Sequence, residues 1–268
     1  MTTDQIASDR TPDVIRLNPQ AHLGVGSILG ESSSILVQYF LPILAIVFVP
    51  DFLLYWASNE LTIYIYDVEM DYTWLSGSGA LVAVGLAFLM GFVVFFVETA
   101  LLVQLAYDAK LKHPMQLGQY FKVLITNLLP VVLLGIVVLL LIIPAVLALI
   151  IGSWWVQAVF AVVVPAIVIE RCGFGALKRS VELTRGFRWP IVGAMLLATI
   201  FSNFLDKVAN AVSDLALEHG NALLESIAYA AISSIGYAFL GILTALIYAR
   251  LREIKEGVSV DQIAEVFD

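Results

Sequence analysis

The sequence predicts an all-α polytopic membrane protein, a bundle of six transmembrane helices arranged as three hairpins. Three observations predict it. The chain is 60% apolar and only 13% charged over 268 residues, with a mean hydropathy of +0.94, outside the range of a soluble globular domain. No residue from position 123 to position 169 carries a charge, which is long enough for two crossings of about 20 residues each. All but one of the fourteen Lys and Arg fall on one side of the resulting pattern, an asymmetry that orients a membrane protein with its basic loops in the cytoplasm.

The elements follow in order. Residues 1–34 form a cytoplasmic leader with an interfacial helix and carry Arg10 and Arg16. No signal-peptide pattern precedes the first apolar run. The six-span domain covers 35–249, with helices expected at 35–56, 80–103, 123–143, 145–169, 190–212 and 228–249. The first outer loop contains Glu60, Asp67, Glu69 and Asp71 with no Lys or Arg. Tyr55, Trp56, Tyr64, Tyr66, Tyr72 and Trp74 around it fit an interfacial aromatic belt. Lys110, Lys112 and Lys122 mark the next loop as cytoplasmic. Spans three and four meet at Pro144, where a missing backbone donor can break the run; a kinked helix turning near Gly152 and Ser153 is the competing division. Arg171, Lys178, Arg179, Arg185 and Arg188 return the chain to the cytoplasm, and Lys207 alone lies opposite. The short acidic tail, 250–268, carries Arg250, Arg252 and Lys255, so both termini are expected in the cytoplasm.

Three segments share one grammar, an amphipathic stretch leading through a bulky residue to a proline. They read GSILGESSSILVQYFLP, PMQLGQYFKVLITNLLP and FGALKRSVELTRGFRWP. Pro42, Pro130 and Pro190 then open their spans, where a lost N–H costs least within the first turn. In the third segment Phe174, Leu177 and Val181 share one helical face, Glu182 can pair with Lys178, Arg179 or Arg185, and Gly186 is placed as a C-cap. Ordinary anchoring of an interfacial helix is the leading expectation for this elbow. The sharper one is an anionic-lipid headgroup site using Arg171, Lys178, Arg179, Arg185 and Arg188, since a basic residue beside such a surface is worth about 1 kcal/mol.

The run from 142 to 196 resembles a broad group of uncharacterised bacterial inner-membrane proteins related to the membrane domain attached to some glycerophosphodiester phosphodiesterases. Pro144, Trp155, Pro165, Glu170, Ala176, Ser180, Leu183, Thr184, Arg185 and Gly186 carry the likeness. It implies a six-span bundle in the bacterial inner membrane with cytoplasmic termini. It does not imply phosphodiesterase activity, because in the fused enzymes that chemistry belongs to a separate soluble barrel.

Candidate polar positions are few. Glu98 lies deep in span two, where a carboxylate costs about 2.5–3.5 kcal/mol and usually faces a bundle interior or aqueous cavity. Placed in the cytoplasmic third of its helix, it would pair with a neighbouring basic group, and that structural role is favoured over a proton-linked one. Asn127 and Gln157 complete a candidate intramembrane polar site, although hydrogen bonding between helices is their ordinary use, as it is for Asn203. Glu170 and Arg171 are expected to orient the elbow. Asp51, after Pro50, is expected near the outer end of span one and solvated. Gly79, Ala83, Ala87 and Gly91, and Ala194, Ala198 and Ser202, form small-residue faces suited to internal packing.

Catalytic patterns are missing. His22, His113 and His219 are scattered without metal-ligand spacing, and Cys172 is the lone cysteine, which rules out an internal disulfide. No nucleophile elbow or phosphate loop is present. A net charge of −8 argues against a nucleic-acid partner. The expectation is a non-enzymatic scaffold or accessory subunit without cofactor, whose partners are the bilayer, anionic lipids and a membrane protein or second copy. The alternative is a small transporter or lipid-handling protein using Glu98 and the basic elbow.

Overall fold

The structure, a computed structural model, describes residues 22–68, 78–148 and 150–257. Nine α-helices make up these residues: α1 (Val25–Gln38), α2 (Phe40–Val68), α3 (Ser78–Leu111), α4 (Leu117–Ala148), α5 (Ile150–Phe160), α6 (Val163–Glu170), α7 (Ala176–Thr184), α8 (Arg188–Glu218) and α9 (Ala222–Glu256). A short 3₁₀ turn, Gly173–Gly175, links α6 to α7. Among the described residues six stretches are long and apolar enough to cross a membrane: Phe40–Ala57, Phe88–Leu111, Leu117–Pro144, Gly152–Glu170, Arg188–Glu218 and Ala222–Glu256. The six-span helical bundle expected from the sequence is therefore the fold.

Helix α9 is its axis. It packs along α8 and against α2, α3 and α1, and its buried residues run from Glu225 to Leu251 on several faces. Its glycines explain the close approach. A Cβ on Gly236 would stand 2.6 Å from Ser202 Oγ and 3.0 Å from Ser202 Cα on α8. Ala198 and Ala194, one and two turns earlier on that small-residue face of α8, are fully buried. Internal packing is thus the use of the span-five face. Of the span-two face only Gly91 has its surroundings described, and it sits against Leu54 of α2; Gly79, Ala83 and Ala87 lie outside the described side chains.

The hairpin pattern gathers the described basic ends on one face. There Lys110, closing α3, meets Glu31 of α1 at 3.3 Å, and Lys255, closing α9, donates to the Glu182 carbonyl of α7 at 2.5 Å.

Several boundaries differ from those expected. Ile35 to Gln38 belong to the entry helix, which ends at Tyr39, so the first span starts at Phe40. Pro42 and Pro190 do fall in the first turns of α2 and α8. Pro130 does not: the entry stretch and span three form one continuous helix, α4, with Pro130 and Pro144 inside it. Proline cannot donate but does not forbid a helix whose neighbours hold it, and α4 continues past Pro144 to Ala148. The run is thus not broken at Pro144, and Gly152 and Ser153, the competing turn position, lie inside α5. Span four is itself interrupted between Phe160 and Val163. The Val159 carbonyl at that interruption accepts from Ser180 Oγ (2.8 Å) and Thr184 Oγ1 (3.2 Å) of α7, so the elbow helix satisfies the broken span.

The elbow itself is oriented differently from its apolar spacing. Its buried face is Ala176, Ser180, Leu183 and Thr184, whereas Phe174 is exposed. Small and hydroxyl-bearing residues face protein because the Val159 carbonyl needs donors there. Gly186, at φ +90°, follows the C-cap Arg185, as a C′ glycine should.

Candidate functional site

Two carboxyl groups from different helices face one small, half-open cleft between α2, α3 and α9. Asp51 of α2 and Glu98 of α3 border a space of about 290 Å³ with Tyr237 of α9, walled by Leu54, Phe88, Gly91, Phe92, Val94 and Phe95. At ~1.5 Å per residue, Asp51 lies about 16 Å along α2 from Phe40 and Glu98 about 20 Å along α3 from Leu111. Both therefore sit near the middle of a hydrocarbon layer about 30 Å thick. Pro50 precedes Asp51 and removes the helical bond to the Ile46 carbonyl.

Asp51 is half-buried and Ser234 Oγ lies 3.0 Å from its Oδ2. The same hydroxyl is 2.5 Å from the Ala230 carbonyl, so its one proton serves two acceptors. Glu98 is 2% exposed, and its Oε1 has no hydrogen-bond partner. The charged group within electrostatic reach of it is Asp51. Among the described residues no Lys or Arg lines the cavity. Glu98 thus does not take the basic partner expected for it, since Lys110 is engaged with Glu31. Nor is Asp51 a solvated end residue: a bond to α9 and a shared cavity hold it inward.

Asn127 and Gln157 do not join this site. Asn127 Nδ2 donates to the Val123 carbonyl of its own helix at 2.9 Å and borders a separate cleft at the basic face. Gln157 is half-buried on α5 and does not line the Asp51–Glu98 cavity. The belt residue Tyr55 also turns inward. Its hydroxyl donates to Glu225 Oε1 at 2.6 Å and its ring stacks on Tyr229 at 4.0 Å, while Tyr229 donates to Asp206 at 2.6 Å. Trp56 is exposed, and the remaining belt aromatics and loop acids lie outside the described side chains.

At the basic face a second polar cluster joins α6, α7 and α9. Arg179 forks onto Glu170 with Nε and Nη2 each at 2.7 Å and also bonds Glu256. Arg252 pairs with Glu256 at 2.9 Å and lies over the Tyr248 ring, whose hydroxyl donates to Glu170 Oε1 at 2.6 Å. Hydrogen bonding to Glu170 raises the Arg179 pKa above its ordinary value. Glu170 therefore orients the elbow, as expected. Burial, with the Glu170 charge adding to it, pushes the nearby Cys172 thiol up, the opposite of nucleophile activation.

The five basic residues expected to form one headgroup site are dispersed. Arg179 is committed to this network. Lys178 is exposed and 3.9 Å from Glu182. Arg185 is exposed, and Arg188 stacks over Trp155 at 5.4 Å. Arg171 alone borders a cleft. Among the described residues no group of His, Cys, Asp and Glu could hold a metal ion. Ser234 and Tyr237 escaped the sequence reading because each looks like an ordinary helix residue; only their spacing of three on α9 places them on one face. Comparison with protein-family models, curated proteins and solved structures finds no match to this chain.

Proposed function

We propose that the protein is a small, non-enzymatic carrier of the bacterial inner membrane, with both termini cytoplasmic, that binds a proton or small monovalent cation between Asp51 and Glu98. One observation carries this reading: a fully buried carboxyl group with an unpartnered oxygen faces a cavity containing a second carboxyl group and no cation. An intramembrane carboxylate is costly, and residues that incur that cost mark ion pathways by default. A structural ion pair would offset it, and the described residues supply none at Glu98. A proton or cation entering the cavity would offset the negative charge of a carboxylate there.

The interrupted span four and the proline-bearing helices α2 and α4 fit a carrier, in which broken helices flank a mid-membrane site. The accessory-subunit reading rests on a scarcity of buried polar groups, and the Asp51, Glu98, Ser234 and Tyr237 constellation weakens that premise. The test is reconstitution into liposomes containing a pH-sensitive dye, with an imposed proton gradient and, separately, an imposed sodium gradient. The wild type is expected to dissipate one of the two, and Glu98→Gln and Asp51→Asn to abolish that flux while the protein remains monodisperse. Flux through both variants at the wild-type rate would remove the carboxylates from the proposal. Tags at both termini should be accessible only from the cytoplasmic side.

A further inference from the structure

A different region, independent of the carboxylate cavity, has the composition of an anion site. At the basic face two adjoining cavities of about 800 and 680 Å³ lie between α4 and the α6–α7 turn, and Arg171, Gln119 and Val123 border both. The second is lined by two cations, Lys122 and Arg171, and by no acid. Among the described residues neither cation has an ion-pair partner, unlike Lys110, Lys178, Arg179, Arg250 and Arg252 nearby. Arg171 caps α6 in the left-handed conformation, φ +52°, one that L side chains rarely adopt.

The first cavity adds a donor. Tyr107 lines it, is 6% exposed, and its hydroxyl has no hydrogen-bond partner among the described residues. Two acids, Asp108 and Glu170, also border it, but both are occupied. Asp108 accepts from Tyr120 at 2.5 Å, and Glu170 accepts from Arg179 and Tyr248. Beside the Gln116 and Gln119 amides, which can donate or accept, the lining offers the Tyr107 donor and the Lys122 and Arg171 cations, which suit an anionic oxygen ligand.

The flank of the cleft specifies where that ligand comes from. On α4, next to the lining residues, Phe121, Ile125, Leu128 and Leu129 form an apolar ridge, with Ile125 72% exposed. Lys122 is one residue along from Phe121, about 7.5 Å into α4 at ~1.5 Å per residue. A ligand anchored by its phosphate at Lys122 and Arg171 would lie with its remainder along that ridge. A phospholipid has this shape and a soluble phosphate does not. We propose that this cleft binds the headgroup of an anionic phospholipid, its phosphate held between Lys122 and Arg171, and that the elbow residues Lys178, Arg179 and Arg185 are not the contacts.

The test uses the full chain in mild detergent and native mass spectrometry, titrating dioctanoyl-phosphatidylglycerol, dioctanoyl-phosphatidylcholine and inorganic phosphate in turn. Saturable one-to-one binding of phosphatidylglycerol, tighter than phosphatidylcholine and unaffected by millimolar phosphate, is expected. Lys122→Gln/Arg171→Gln should weaken it about thirtyfold and each single variant about fivefold, each basic residue near an anionic surface contributing a factor of about five. Lys178→Gln should leave it unchanged. The single variants keep the test decisive should the double variant not fold. Binding that survives Lys122→Gln and Arg171→Gln, equal binding of phosphatidylcholine, or displacement by inorganic phosphate would overturn the proposal.

Discussion

Replacing Arg179 with Gln should destabilise the bundle by about 2 kcal/mol, a value bounded by two limits. Removing one partner of a fully buried ion pair costs about 3–5 kcal/mol, because the other charge is left buried and alone. An exposed pair is worth about 0.2–1 kcal/mol. The Arg179 side chain is 25% exposed and that of Glu170 19%, nearer the buried limit. Redundancy lowers the figure. Glu256 keeps Arg252 at 2.9 Å, and Glu170 keeps the Tyr248 hydroxyl at 2.6 Å with Arg252 3.8 Å away. The loss is thus chiefly the bidentate fork on Glu170, whose two bonds are both 2.7 Å.

The lone thiol makes the assay local. Cys172 sits in the turn between α6 and α7, with Sγ 3.0 Å from the Ala166 carbonyl. A thiol-reactive fluorogenic dye therefore reports opening of the elbow as the detergent-solubilised protein is heated. A loss of about 2 kcal/mol should lower the labelling midpoint by roughly 4–8 °C for a chain of this size. Arg179→Lys, which keeps the charge but not the fork, should fall between. Lys178→Gln removes an exposed 3.9 Å pair and should cost no more than about 0.5 kcal/mol. If Arg179→Gln matched the wild type, or if Lys178→Gln were equally harmful, the network would not be what holds the elbow.

Two further substitutions test the packing and the cavity. Gly236→Ala should cost about 1–3 kcal/mol in thermal or denaturant unfolding, since the new Cβ meets backbone of α8 at 3.0 Å and the helices must part; Gly241→Ala should cost a comparable amount, because its Cβ would meet the buried Leu102 at Cδ1 (2.5 Å) and Cβ (3.1 Å). Glu98→Gln should leave stability unchanged or raise it, as no ion pair is broken. A fall of more than about 1 kcal/mol in the same measurement would mark Glu98 as a structural anchor instead.

What the sequence made legible was whatever depends on composition along one helix. Six spans, Pro42 and Pro190 in first turns, the C′ role of Gly186 and the burial of Ala194 and Ala198 all follow from local pattern. What it hid depends on which helix faces which. Asp51 reads as a solvated end residue because Pro50 before it suggests a terminus, yet α2 continues to Val68 and brings it beside Ser234, 183 residues away. Glu98 reads as paired because Lys110, twelve residues on, places it in the cytoplasmic third of its helix near basic groups; among the described residues no such group reaches it, and Lys110 itself meets Glu31 on α1. The elbow misleads similarly, since its apolar spacing is weaker than the demand of the Val159 carbonyl for donors.

The two polar centres share a strut, and that constrains how the bundle would move if it acts as the proposed carrier. Tyr237 and Ser234 serve the carboxylate cavity, while Tyr248, Arg252 and Glu256, on the same helix, serve the basic-face network. At ~1.5 Å per residue Tyr237 and Tyr248 are about 16 Å apart along α9. Helix α9 is bound to α8 through Gly236 against Ser202 and to α7 through Arg179, so α8 and α9 form the rigid half. The helices bringing Asp51 and Glu98 are α2 and α3, and α2 contains Pro50 one residue from its carboxylate. Proline sites are where helices bend. Motion that opens the cavity is therefore expected in α2 at Pro50, with α9 stationary. A Pro50→Ala variant should slow flux through the reconstituted protein while leaving the Arg179 network, read by Cys172 labelling, intact. Equal loss of both readouts would mean that the two centres move as one body.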